Sequence, residues 1–277
     1  MTVDFSLVRD RELLVRRLRN VGEVWGVYFK YVDPAEEAAV AEILRSIRPE
    51  SLEFSNSQVT TASLPLDGLQ RLTWFDSQES HLHANVFPAL QTLPCVNLFR
   101  IQGCALDDAR LSALMSAPSL KSLWLAKCDF SAATLQNIPA SPTLETLSFE
   151  ECNPPQNCDK WLTMQPQLRA MKFADVALED FDPALLAQMP ALKSLELSTR
   201  IKAGWAERIP VLPQVTALTL HSQDADPALT LSLLSRLPNL EKLDLYGADC
   251  TDEFAADLQY LHSDLDVSCR VLEEEEP

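Results

Sequence analysis

The sequence predicts an α/β solenoid, with a concave parallel β-sheet of about ten strands and short helices on the convex face. Three observations predict it. A short segment recurs along the chain at close to 24 residues. Its apolar positions alternate with period two, as strands require. A second apolar group follows at helical spacing, as in Leu185, Leu186 and Met189, or Leu231, Leu234 and Leu237.

The copies read PCVNLFRIQGC from Pro94, PSLKSLWLAKC from Pro118, PTLETLSFEEC from Pro142 and PQLRAMKFADV from Pro166. PALKSLELSTR from Pro190, PQVTALTLHSQ from Pro213 and PNLEKLDLYGA from Pro238 continue the series. Weaker copies precede these around Leu52 and Leu72, and SDLDVSC ends it. The paired apolar positions are expected at Leu52/Phe54, Leu72/Trp74, Phe99/Ile101, Leu123/Leu125, Leu147/Phe149, Met171/Phe173, Leu195/Leu197, Leu218/Leu220, Leu243/Leu245 and Leu265/Val267. The steps between them are 20, 27, 24, 24, 24, 24, 23, 25 and 22 residues.

These segments resemble leucine-rich repeats over roughly residues 49 to 269, with seven strong central copies. The resemblance implies one strand per turn of a horseshoe and an inward N/C position that bonds loop backbone. Cys104, Cys128 and Cys152 occupy that position 24 residues apart and are expected to form a buried thiol ladder. Ser57 and Ser77 are assigned the same place in the early copies. Val176, Arg200, Gln223 and Ala248 take it later, where an inward Arg200 would be costly unless the loop shifts to bury Ile201.

The elements follow in order. Residues 1–30 are expected to cap the first repeat, because a solenoid must seal its terminal core edge. Arg9, Arg11, Arg16, Arg17 and Arg19 flank Leu7, Leu14, Val15 and Leu18 on an amphipathic helix, and WGVYFKY supplies a strand. Residues 31–272 form the solenoid, and residues 273–277 an acidic disordered tail. Asp33-Pro34, Asp182-Pro183 and Asp226-Pro227 read as capping Asp with Pro at the first helical position. Acidic residues such as Asp107, Asp108, Glu179, Asp180, Asp224, Asp252 and Glu253 sit favourably at helix starts. Trp161 and Trp205 fall in the outer halves of their repeats and are expected in the core.

Charge and composition exclude several functions. Lys+Arg 23 against Asp+Glu 40 leaves a net −17, which opposes nucleic acid and anionic membranes. Residues 1–49 balance eight acids with eight bases, so the excess lies beyond residue 49. No signal peptide or membrane span is read, and seven Cys cannot pair completely, so a cytoplasmic chain with reduced thiols is expected. No phosphate-binding Gly loop or nucleophile elbow occurs. Cys152 and Cys158 lack zinc spacing, and His81 and His83 are assigned to a loop enlarged by the 27-residue step. Neither a metal nor a cofactor is expected, and no enzyme.

The concave face is the expected working surface. Trp124 stands out there, flanked in the reading by Arg100 and Lys172, since Trp and Arg dominate binding hot spots. Phe75, His221 and Tyr246 are further candidates. Glu150, Glu151, Asp175, Glu196 and Asp244 are expected to make the second half of the face acidic. The expected function is a non-catalytic, intracellular protein-binding scaffold, monomeric when free, that inhibits or sequesters a basic partner protein. The resemblance extends distantly to acidic, thiol-rich ribonuclease inhibitors, which implies an inhibitor or an immunity protein against a toxin or nuclease. The alternative is an adaptor or effector that recruits a host or signalling protein.

Overall fold

The computed structural model describes the chain apart from residues 5–6, 8–10, 19–20, 22–23, 131–137, 153–158, 179–180, 200, 202, 222–226, 248–250 and 271–277. Two compact units form, Met1–Leu144 and Glu145–Pro277. The expectations for Arg200, Gln223, Asp226, Ala248 and the tail fall outside the described residues.

The first unit runs β1 (Thr2–Asp4), α1 (Arg11–Leu18), β2 (Gly26–Lys30), α2 (Glu37–Ile47), β3 (Ser51–Ser55) and β4 (Gln58–Val59). It continues with β5 (Trp74–Gln78), β6 (His81–Leu82), α3 (Val86–Gln91), β7 (Leu98–Gln102), β8 (Ala105–Leu106), α4 (Asp108–Met115), β9 (Ser122–Ala126) and β10 (Asp129–Phe130). Strands β1-β2-β3-β5-β7-β9 make one parallel sheet in that order. The inward positions Val27, Leu52, Phe75, Phe99 and Leu123 lie in register and are buried. Phe29, Phe54, Phe75 and Phe99 meet in sequence, the first pair stacked, the second tilted and the third edge-on, with ring centres 5.6, 6.3 and 6.3 Å apart. This aromatic file, together with aliphatic neighbours, is the core.

Helix α2 forms because Val40, Ala41, Ile43, Leu44 and Ile47 share one face and are all buried there. It ends where Arg48 turns left-handed at φ 43°, its N–H donating to the Leu44 carbonyl. Gly68 lies tight against it, for a β-carbon there would stand 2.9 Å from the Arg45 Cα. Asp107 caps α4 as expected, accepting from the Arg110 amide at 2.9 Å. Asp33 departs from expectation. It accepts from the Ala35 amide in a turn, while α2 starts only at Glu37.

The second unit runs β11 (Thr146–Glu150), α5 (Asp159–Thr163), β12 (Ala170–Ala174), a 3-10 segment (Pro183–Gln188) and β13 (Ser194–Ser198). It continues with α6 (Ala203–Arg208), β14 (Ala217–His221), α7 (Pro227–Leu234), β15 (Lys242–Tyr246), α8 (Asp252–Leu261) and β16 (Asp266–Arg270). Its sheet is parallel in the order β11-β12-β13-β14-β15-β16. Phe149 stacks on Phe173 at 5.9 Å, and Phe173 meets Phe181 at 5.1 Å. Trp161 and Trp205 are buried, and the Trp205 indole donates to the Phe181 carbonyl at 3.0 Å. Asp182 caps a 3-10 segment rather than an α-helix.

Two registers differ from the sequence reading. Phe75, not Leu72, pairs with Leu52 and Phe99, so the steps there are 23 and 24 residues. Leu72 is equivalent to Leu120, three residues before the strand pair. An odd slip exchanges the two faces of a strand. Burial settles the choice, since Phe75 is 0% and Trp74 39% exposed. The insertion therefore vanishes: His81 pairs with Gln58 in a regular short strand. At the other end Val267 and Cys269 pair with Leu243 and Leu245, so Leu265 lies before the strand.

The inward polar ladder is Ser57, Ser80, Cys104 and Cys128; Ser80 replaces the expected Ser77. Each side chain donates to the carbonyl two residues earlier, at 2.8, 2.9, 3.7 and 3.3 Å respectively. Cys104, Cys128 and Cys152 are buried free thiols and Cys95 is an exposed one. Cys269 departs from the expectation of reduced thiols, being disulfide-bonded.

At the ends of seven strands one residue turns left-handed. Tyr31, Asn56, Glu79, Gly103, Lys127, Glu151 and Asp175 all have φ between 47° and 70°. The Gly103, Glu151 and Asp175 amides each donate to a carbonyl on the next strand, at 2.9, 2.8 and 2.9 Å.

Candidate functional site

Residues between the buried strand positions face outward on each sheet. In the first unit the central row, in register, is Tyr28, Glu53, Asp76, Arg100 and Trp124. Beside it runs Gly26, Ser51, Trp74, Leu98 and Ser122. The Arg100 guanidinium lies over the Trp124 ring, 5.5 Å from its centroid, with Nη1 3.9 Å from Asp76 Oδ2. Lys30 holds its ammonium 4.8 Å from the Tyr28 ring centre.

Asp76 is buried, and its Oδ1 has no hydrogen-bond partner among the described residues. Burial pushes its pKa up to about 6 against the pull of Arg100, and the nearby Glu53 charge adds to the rise. Glu53 is raised as well, again by burial, with Arg100 and Lys30 opposing.

The second unit carries Ser148, Lys172, Glu196, Thr219, Asp244 and Ser268 in its central row. Lys172 Nζ sits 2.8 Å from Glu196 Oε1, which also accepts from Ser198 Oγ at 3.2 Å. His221 Nε2 stands 3.8 Å from the same oxygen. Burial lowers the His221 pKa, with Glu196 opposing. The His221 ring stacks on Tyr246, with centroids 4.1 Å apart and planes 6° apart, and Arg270 approaches Tyr246 at 5.7 Å. Asp244 accepts from Lys242 and Ser268, both at 2.6 Å. Burial raises its pKa, but those hydrogen bonds outweigh it and leave the carboxyl below its ordinary value.

The expected site is thus corrected in three places. Phe75 is a core residue and Trp74 takes the outward position. The expected acidic half-face is neutralised at two positions, where Glu196 pairs with Lys172 and Asp244 with Lys242. Glu151 and Asp175 are the left-handed residues at strand ends rather than members of the outward rows. Arg100 and Trp124 do meet, whereas Lys172 belongs to the second unit and pairs with Glu196. Tyr28, Lys30, Trp74 and Asp76 were missed. Aligning Leu72 with Leu120 would have exposed the last two.

The acidity is uneven along the chain. Residues 1–144 hold 16 acids and 13 bases, whereas residues 145–277 hold 24 and 10, leaving −3 and −14. Among the described residues no group of three or more His, Cys, Asp or Glu is gathered to hold a metal. No described helix is long and apolar enough to cross a membrane.

Comparison with known proteins finds no matching family model and no matching curated protein. Solved structures resemble the chain at low identity. A chain of the Drosophila Toll–Spatzle complex is 16% identical with a TM-score of 0.47, matching 96% of this chain and 42% of that one. An internalin (inlF) from Listeria monocytogenes is 15% identical with a TM-score of 0.43, over 89% and 74% of the two chains. The TLR13–ssRNA13 complex gives 16% identity and a TM-score of 0.49, over 90% and 38%. The chain thus spans about two fifths of the Toll chain's length. Its own strand register and repeat spacing make the fold a leucine-rich-repeat solenoid.

Proposed function

We propose that this chain is a non-catalytic protein-binding solenoid that sequesters or inhibits a basic partner on the outward sheet face of residues 1–144. The carrying observation is Trp124. It is only half-buried, it lies on the face opposite the aromatic core, and a guanidinium orients its ring. A large aromatic fixed in that way is suited to anchor a partner with little ordering cost. Trp74, 39% exposed on the neighbouring outward row, extends the apolar contact.

Charge supports the partner's chemistry. The −14 carried by residues 145–277 attracts basic proteins at long range and repels nucleic acid. On the sheet rows themselves the carboxylates are mostly paired, so charge steers and the aromatic residues hold.

Affinity capture with the full chain as bait tests this reading. Basic proteins should be retained, with association slowing steeply as salt rises. Trp124→Ala should speed dissociation and cost about 2 kcal/mol, whereas Asp108→Lys on α4 should do less. Undiminished capture by the Trp124 variant would place the site elsewhere.

A further inference from the structure

A cleft of about 320 Å³ opens in the first unit beside β2 and β3, lined by Val24, Trp25, Val27, Tyr28, Ser51 and Glu53 among others. We infer that this cleft recognises an arginine side chain, its guanidinium held by the Glu53 carboxylate and covered by the Trp25 ring. The inference rests on the proposed basic partner and names the group by which that partner is read.

Two observations carry it. Trp25 is 68% exposed, so its indole contributes little to the core, yet it stands at the mouth of a cleft. Glu53 is partly removed from water, and among the described residues it makes no hydrogen bond or ion pair. A half-desolvated carboxylate without a donor gains most from a charged donor brought to it.

Three cations stand near: the Met1 α-ammonium, which lines the cleft and donates to the Gly26 carbonyl at 2.8 Å, and Lys30 and Arg100, whose charges act on Glu53 while their side chains rest on other partners. Lys30 rests on the Tyr28 ring, and Arg100 lies between Asp76 and Trp124. An anionic ligand would meet the Glu53 carboxylate, and an apolar one would bury that carboxylate without a donor. Guanidinium satisfies both walls, since its fork matches a carboxylate and its flat face stacks on an aromatic ring.

The test titrates the full-length protein calorimetrically with N-acetyl-arginine amide and with N-acetyl-citrulline amide, which has the same shape without the charge. The arginine probe should bind at least about tenfold more tightly. Glu53→Gln and Trp25→Ala should each remove about tenfold of that affinity, while Tyr260→Ala, at an exposed position of α8 in the second unit, leaves it unchanged. Trp25→Ala alters an exposed side chain and keeps the test decisive if the Glu53 variant folds poorly. Equal binding of the two probes, or no loss in either cleft variant, would overturn the inference. Because the probe needs no partner, that failure would leave the Trp124-anchored reading standing.

Discussion

The Arg100 guanidinium carbon lies 5.5 Å from the centre of the Trp124 ring, on the adjacent strand and in direct register. The same side chain reaches back to Asp76 on its other side at 3.9 Å. One cation therefore serves two neighbours, compensating a buried carboxylate and orienting an aromatic ring.

Asp76 makes the stability of the protein depend on pH in an unusual direction. Its folded pKa of about 6 is above the ordinary 3.8, so the folded chain holds the proton more tightly than the unfolded one. Its contribution is most favourable below pH 4, falls as pH rises towards 6, and is flat above. Urea denaturation at pH 4.5 and 7.5, compared between wild type and Asp76→Asn, isolates it. The variant should be the more stable at pH 7.5, by up to about 3 kcal/mol, with the gap closing in acid.

Phe75 and Trp74 should behave oppositely. Phe75→Ala removes one ring from the aromatic file and should cost about 3–5 kcal/mol, read from the denaturation midpoint. Trp74→Ala should cost much less stability. Equal losses would reverse the register assigned to β5.

The free cysteines should separate by rate of labelling. Cys95 is exposed and should react with a thiol reagent quickly, whereas Cys104, Cys128 and Cys152 should react only as the protein opens. Cys128→Ser should be tolerated, because Ser57 and Ser80 already make the same bond in equivalent positions. Cys128→Asp should cost several kcal/mol, about the penalty for an unpaired buried charge after relaxation.

The strand-end turns give a pair of opposite substitutions. Gly103 has φ 70°, and a β-carbon added there would meet nothing within 4 Å. Gly103→Ala therefore isolates backbone strain and should cost about 1 kcal/mol. Lys127, at φ 49° in the next repeat, should gain stability when changed to Gly. Thermal melts of the two variants should shift in opposite directions.

Much of this protein was legible in its residues. Apolar positions recurring every 24 residues from Phe99 to Leu195 dictate stacked strands, because burial of one strand face fixes both spacing and register. The same regularity by itself places Arg100, Trp124, Lys172, Glu196 and Asp244 on outward rows. Where the pattern weakens, the tertiary structure decided. Leu72 and Trp74 satisfy an apolar alternation as well as Phe75 and Ser77 do, and the packing of Phe75 between Phe54 and Phe99 breaks the tie. Which charges cancel was also beyond the sequence. Lys172 and Glu196 lie 24 residues apart, and their ion pair exists only because two repeats bring them to 2.8 Å. Periodicity determines which side a residue faces; the packing of neighbouring repeats determines what it meets there.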